Sequence, residues 1–236
     1  MANSYFTFKQ FTINQNRCAM KVGTDGCLLG AWADISNSNN ILDIGCGSGL
    51  IAIMSAQRCP QANITGIEID TEAAAQAIEN SKASPWNDRI KIIKKDFLEF
   101  ESHETFDTIL SNPPYFINSL KCPDKKRSKA RHADTLTSYT LLLQSYKLLS
   151  AKGKLSIVIP YDQLTTWQEQ AEEIGYKVTR LTRVHTRSDS APKRALIEFC
   201  KSNDSKTILE DFVLEESPGT FTTQAIELLK PFYLKL

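Results

Sequence analysis

Apolar positions along the chain change period repeatedly. Short apolar runs such as Ile41-Leu42-Asp43-Ile44 read as buried strands, and longer stretches with apolar residues three and four apart read as helices. On this pattern the strand 41–44 is followed by a helix over 50–58, a strand over 63–69 and an Ala/Glu/Gln-rich helix over 71–84. Thr71 serves as the expected N-cap of that helix and Pro85 as its stop. Strands follow at 89–93 and 106–110, then a helix at 136–149, a strand at 154–160 and a helix at 163–174 ended by Gly175. Two β-rich runs, 176–187 and 194–201, come next with no helix between them, and a strand near 208–214 and a helix near 222–229 close the pattern.

Strand–helix alternation of this kind predicts an α/β fold with a mostly parallel sheet covered by helices on both faces. Seven strands are expected, with the two late runs forming an antiparallel edge. A single domain is expected over 1–236, divided into an N-terminal cap segment (1–40), a catalytic core (41–201) and a C-terminal strand and helix (202–236).

Composition narrows the class only slightly. Of 236 residues, 42% are hydrophobic and 23% charged, an ordinary globular mixture that excludes wholesale disorder. No apolar run approaches the ~20 residues of a membrane span, and the first residues lack the basic start and apolar core of a leader. The six cysteines are scattered without a C-x-x-C pair, and there are three histidines. Free thiols in a reducing cytoplasm are therefore expected, with no metal site. With 28 Lys+Arg against 27 Asp+Glu, net charge alone gives no reason to expect a nucleic-acid partner.

Candidate chemistry begins after the first strand, in Asp43-Ile44-Gly45-Cys46-Gly47-Ser48-Gly49-Leu50. Glycines at the mouth of a strand permit a tight turn and close approach of backbone to a nucleotide. The pattern is G-x-G-x-G and lacks the third glycine spacing of a dinucleotide fingerprint, because position 50 is leucine. Glu68 ends the second strand, where a carboxylate can accept both hydroxyls of a ribose. Asp96 ends the third, within reach of an adenine amino group, with Phe97 packing beside the ring. Three acidic positions at successive strand ends point to nucleoside binding. This order of motifs resembles the class I S-adenosylmethionine-dependent methyltransferases. The resemblance implies that Gly45, Gly47 and Gly49 border the methionine end of that cofactor, that Glu68 holds the ribose, and that Asp96 and Phe97 hold the adenine. Asp43, which opens the motif, and Asn112, just after the fourth strand, are counted with the cofactor-binding residues.

The fourth strand ends in Ser111-Asn112-Pro113-Pro114-Tyr115-Phe116. Two prolines after an asparagine stiffen an extended backbone. The Asn112 side-chain oxygen and the Pro113 carbonyl are both acceptors, and together they can bind the two N–H bonds of a planar amine. Drawn toward tetrahedral geometry, that nitrogen frees its lone pair for attack, so positioning and electrostatics suffice without a strong base. Tyr115 offers a ring on which a flipped-out base can stack. The tetrapeptide resembles the amino-methylating branch of the family, which modifies adenine N6, guanine N2, cytosine N4 or a glutamine side chain.

Charge distribution and a wider resemblance bear on the substrate. Residues 121–132 hold six Lys/Arg against one Asp, including Lys125, Lys126, Arg127, Lys129 and Arg131. Residues 177–194 hold six against one again, including Arg187, Lys193 and Arg194, while residues 65–105 carry nine carboxylates against five Lys/Arg. Basic stretches beside a base-stacking pocket suit phosphate contacts. Segments 8–11 and 16–32, Glu68, Asn80 with Ser84-Pro85-Trp86, the Asn-Pro-Pro-Tyr-Phe run, Ala130-Arg131-His132 and Phe232-Tyr233-Leu234 together resemble bacterial tRNA adenine-N6 methyltransferases acting on valine tRNA. That family methylates the purine just 3′ of the anticodon, position 37; it usually has an acidic residue where this chain has Asn16. Lys21, Thr24 and Asp25, in a glycine-punctuated segment, are candidate cofactor contacts if 21–30 folds over the cofactor; a packed helix lead-in is the other reading. The expectation is a monomeric, cytoplasmic, S-adenosylmethionine-dependent tRNA methyltransferase. A glutamine N5-methyltransferase of a release factor, a guanine-N2 rRNA methyltransferase and a non-enzymatic RNA-binding module are its rivals.

Overall fold

The structure is a computed structural model that describes residues 3–114, 136–201 and 206–236. Its centre is a sheet of eight strands: β3 (Asn40–Ile44), β4 (Asn63–Glu68), β5 (Ile90–Lys94), β6 (Phe106–Ser111), β7 (Leu149–Pro160), β8 (Lys177–His185), β9 (Pro192–Cys200) and β10 (Ile208–Val213). Their order is β10-β8-β9-β7-β6-β3-β4-β5. Strands β5, β4, β3, β6 and β7 run parallel, and β9 is antiparallel to both β7 and β8. Two details differ from the sequence-based expectation. The antiparallel strand is internal, and the 208–213 segment adds an eighth strand parallel to β8. A short connection forces β8 and β9 into an antiparallel pair, but nothing local says which of them pairs with β7.

Alternation along the strands explains why helices lie on both faces. Ile41, Ile64, Leu110, Val158 and Leu196 point into one buried cluster, and their neighbours Leu42, Ile67, Ile109, Ile157 and Ile197 point into a second. The first cluster is closed by α1 (Thr24–Trp32), α2 (Leu50–Arg58) and, near the C-terminus, the helix α6 (Thr223–Leu229). The second is closed by α4 (Ser138–Leu148) and α5 (Leu164–Ile174), which bring in Leu141, Leu142 and Trp167. Helix α3 (Thr71–Ala83) packs three alanines, Ala73, Ala74 and Ala77, inward. Its N-cap is Asp70, whose side chain accepts the Ala73 N–H at 2.8 Å, and not Thr71. A carboxylate at this position also complements the positive end of the helix.

Residues 24–30 follow the packed-helix reading. From Thr24 onward they form α1, in which Gly26 through Trp32 are all buried. Gly26 and Gly30 lie one turn apart and face α2. A methyl group at Gly26 would meet Leu50 Cδ2 at 3.2 Å, and one at Gly30 would meet Met54 Sδ at 2.7 Å. The glycine punctuation therefore serves helix packing. Ahead of α1, the strands β1 (Tyr5–Thr7) and β2 (Thr12–Asn14) form a hairpin. Phe8 bridges to Tyr233, the Lys9 N–H donates to the Phe232 carbonyl at 2.7 Å, and Lys9 Nζ donates to the Lys230 carbonyl at 2.6 Å. None of the described helices is long and apolar enough to cross a membrane.

Candidate active site

In a parallel sheet, ligands gather where the strand order reverses, outside the carboxyl ends of the strands. Here the reversal lies between β3 and β6, which are neighbours although β4 and β5 separate them in sequence. Ile44 and Ser111 are register partners at these strand ends, and Ser111 Oγ donates to the Ile44 carbonyl at 3.0 Å. The next residue on each strand is thus Gly45 on one side and Asn112 on the other. Register alone sets the glycine turn beside the Asn-Pro-Pro segment.

The turn is built as its glycines require. Gly45, Gly47 and Gly49 have φ of 66°, 55° and 84°, in the left-handed region that side chains disfavour. At Gly45 and Gly47 a Cβ would project into open space, with nothing within 4 Å. Glu68 fixes the turn from the next strand: its Oε2 accepts the Gly47 N–H at 2.8 Å, and its Oε1 accepts the Asp70 N–H at 2.9 Å. Asn80, from α3, donates to the Ser48 carbonyl and the Asn14 carbonyl, each at 2.8 Å, and accepts the Asn14 N–H at 3.0 Å. It therefore ties the N-terminal hairpin to the turn. Resemblance singled out Asn80, but its bonding reaches positions 32 and 66 residues away that sequence reasoning does not connect.

Asp43 lies behind the turn. It is wholly buried, its Oδ2 accepts the Ala52 N–H at 3.0 Å, and its Oδ1 has no hydrogen-bond partner. Burial pushes its pKa up to about 7, the Ala52 hydrogen bond opposes the shift, and the like charge of Glu68 adds to it. Asp96 caps a short 3-10 turn, Phe97–Glu99, accepting the Leu98 N–H at 2.9 Å. The Phe97 ring is buried in the core cluster closed by α4 and α5. Lys21 is exposed and its Nζ donates to the Asn3 carbonyl at 3.3 Å, while Thr24 is exposed at the start of α1. Asn112 is half-buried and Pro113 buried. A methyl group at Gly26 would stand 3.8 Å from Asn112 Nδ2, so the first turn of α1 borders the motif.

Charge at this edge is less one-sided than the residue count implies. Lys177, Arg180, Arg183, Arg187 and Arg194 each face a carboxylate: Glu172 at 3.7 Å, Glu210 at 2.9 Å, Asp211 at 2.6 Å, Asp189 at 3.6 Å and Asp25 at 2.8 Å. Lys177 and Arg180 lie toward the start of β8, away from the carboxyl edge, and Arg180 stacks over Trp32 at 4.5 Å. Arg187, Lys193 and Arg194 lie on the β8–β9 connection and the start of β9, at the same sheet edge as Asn112. Tyr115, Lys125, Lys126, Arg127, Lys129 and Arg131 lie outside the described residues. Among the described residues no group of three His, Cys, Asp or Glu side chains can hold a metal ion.

Known proteins resemble this chain in sequence and in fold. Residues 23–166 match the family model described as the methyltransferase small domain. A tRNA1(Val) (adenine(37)-N6)-methyltransferase of Bacteroides thetaiotaomicron is 48% identical over 237 residues, covering 100% of both chains. Proteins of the same name from Phocaeicola vulgatus and Trichodesmium erythraeum are 47% and 44% identical, again over 100% of both chains. Among solved structures, a predicted O-methyltransferase from Agrobacterium tumefaciens superposes with a TM-score of 0.69 at 18% identity, covering 88% of this chain and 96% of that one. A Listeria monocytogenes protein described as a class I S-adenosylmethionine-dependent methyltransferase gives 0.60 at 14% identity, covering 86% and 68%. At such identities these two structures speak to the fold alone.

Proposed function

The chain belongs to the family of bacterial tRNA1(Val) (adenine(37)-N6)-methyltransferases, and on that premise we propose how its residues carry out the transfer. The reaction is S-adenosylmethionine-dependent methylation of the N6 amine of adenine 37 in tRNA1(Val). The open space in front of Gly45 and Gly47 fits the cofactor, since it lets a ligand lie directly on backbone. Gly45, Gly47 and Gly49 would border its methionine end, Glu68 its ribose, and Asp96 with Phe97 its adenine, with Lys21 and Thr24 at the cap side and Asp43 bracing the turn from within. When bound, S-adenosylmethionine supplies an electrophilic methyl group on a sulfonium sulfur.

The chain's own work is orientation. Asn112 Oδ1 and the Pro113 carbonyl accept the two N–H bonds of the adenine amine, which turns its lone pair away from the ring and toward the methyl donor. No side chain need remove a proton before attack, because the amine sheds one only after the new N–C bond has formed. Tyr115 is the proposed stacking ring, Arg187 and Lys193, with the basic residues of 121–132, are the proposed phosphate contacts, and Arg194 is a proposed RNA contact. We place the enzyme in the cytoplasm and assign it a monomeric working state.

One observation carries this reading: the open glycine turn and Asn112 follow paired residues, Ile44 and Ser111, on adjacent strands. The test is incubation with unmodified tRNA and labelled cofactor, followed by mass spectrometry of the nucleosides. N6-methyladenosine at position 37 is expected. N2-methylguanosine, or label in a protein glutamine, would overturn the reading.

A further inference from the structure

A second concavity of about 300 Å³ opens beside the first turn of α1. Its floor is apolar, from the buried Leu28 and Val184, and its rim carries Asp25, Thr186, Lys193 and Arg194. The rim elements, the start of α1 and the β8–β9 connection, both belong to the carboxyl edge of the sheet. Asp25 directly precedes Gly26, the residue that borders Asn112. This hollow is thus adjacent to the amine-orienting motif; its lining shares Thr24 with the proposed cofactor contacts but includes neither the glycine turn nor Glu68.

We propose that this hollow is a subsite for one nucleotide flanking the methylated adenine, an inference that rests on the tRNA reading above. An apolar floor with a charged rim matches the chemistry of a nucleotide, whose base has a flat apolar face and whose phosphate carries the charge. Lys193 is exposed and makes no ion pair among the described residues, so its ammonium is placed to meet a phosphate. The Asp25–Arg194 pair, joined at 2.8 Å, presents a carboxylate and a guanidinium side by side. Such a pair suits the mixed donor and acceptor edge of a base better than it suits a phosphate, because the carboxylate would repel an anion. A strand held at two consecutive nucleotides is fixed in register, which a single stacked base does not achieve.

The test uses anticodon stem-loop RNAs, intact or abasic at one nucleotide flanking the target, with wild-type enzyme and Thr186→Trp. Thr186 is exposed, and its carbonyl bond to the Glu215 N–H at 2.9 Å does not involve the side chain, so the larger ring fills the rim without disturbing the strand. The melting temperature and cofactor affinity of the variant confirm that it folds. With wild-type enzyme, an abasic site at one flank should lower kcat/KM about tenfold. Thr186→Trp should cost a similar factor on intact RNA and little further on that abasic RNA, since both changes remove one interaction. Equal rates on all RNAs, or losses that multiply, would overturn the subsite. No methylation of the intact stem-loop alongside methylation of another RNA or a protein would instead overturn the tRNA reading itself.

Discussion

Glu68 Oε2 accepts the Gly47 N–H at 2.8 Å, across the gap between β4 and the glycine turn. The same carboxylate takes the Asp70 N–H at 2.9 Å, and Asp70 in turn caps α3. One side chain therefore sets the positions of the turn, the strand end and the helix start. Charge-assisted hydrogen bonds of this kind contribute about 1.5–3 kcal/mol each. Glu68→Ala should weaken cofactor binding at least tenfold, measured by calorimetric titration, and lower the melting temperature by several degrees. Glu68→Gln should not restore binding, because its amide NH₂ would oppose one of the two N–H donors.

Asp43 gives the fold a pH dependence of identifiable sign. Its pKa is raised by burial to about 7, above the usual ~3.9 of an unfolded aspartate. Below about pH 4 the group is protonated in both states and its full contribution is present. Between about pH 4 and pH 7 the folded chain retains a proton that the unfolded chain loses, so stability falls as pH rises. Asp43→Asn keeps an acceptor for the Ala52 N–H without a buried charge. Its melting temperature relative to wild type should therefore climb from about pH 5 to about pH 8. A constant difference across that range would show that Asp43 is not titrating.

Asn112→Ala should reduce kcat by at least about a hundredfold, the range found when one electrostatic stabiliser is removed. Affinity for tRNA should stay within about twofold, because the Asn112 amide is assigned to the reacting amine. Single-turnover methylation with saturating RNA measures the first, and filter binding the second. A wild-type single-turnover rate would remove Asn112 from the chemistry.

Lys193→Ala should flatten the salt dependence of tRNA binding by about one unit of log–log slope, with a uniform loss of affinity across RNAs. Arg183→Ala should change that slope much less, because its guanidinium already faces Asp211 at 2.6 Å. Equal slopes in the two variants would place both residues alike toward the RNA.

Much of this was legible in the sequence, and the failures share a cause. The strand–helix alternation and the glycine turn are local signals, and so is the stiffened Asn-Pro-Pro run. Three of the five carboxylates that neutralise the 177–194 stretch are remote: Asp25 lies 169 positions from Arg194, Glu210 lies 30 from Arg180, and Asp211 lies 28 from Arg183. A charge count along the chain cannot see them. Glycine spacing over 21–30 leaves two readings open, because it looks the same in a segment folded over a cofactor and in a helix packed tightly on Leu50 and Met54. Asp70 displaced Thr71 as the cap because both are good capping residues and only backbone geometry decides between them. The internal place of β9 was hidden for a similar reason, since pairing with β7 is a long-range choice. For Tyr115 and residues 121–132 the sequence-based expectations stand as proposals.

The hydrogen bond that joins Lys9 Nζ to the Lys230 carbonyl spans 221 positions of chain. During synthesis, the hairpin that Asn80 fastens to the glycine turn emerges 221 positions ahead of the Lys230 carbonyl, which with Phe232 and Tyr233 forms its outer support. Contacts this distant in sequence close late in folding. A nascent chain arrested before residue 230 would thus hold the sheet core and the Glu68-braced turn with a hairpin fastened only through Asn80.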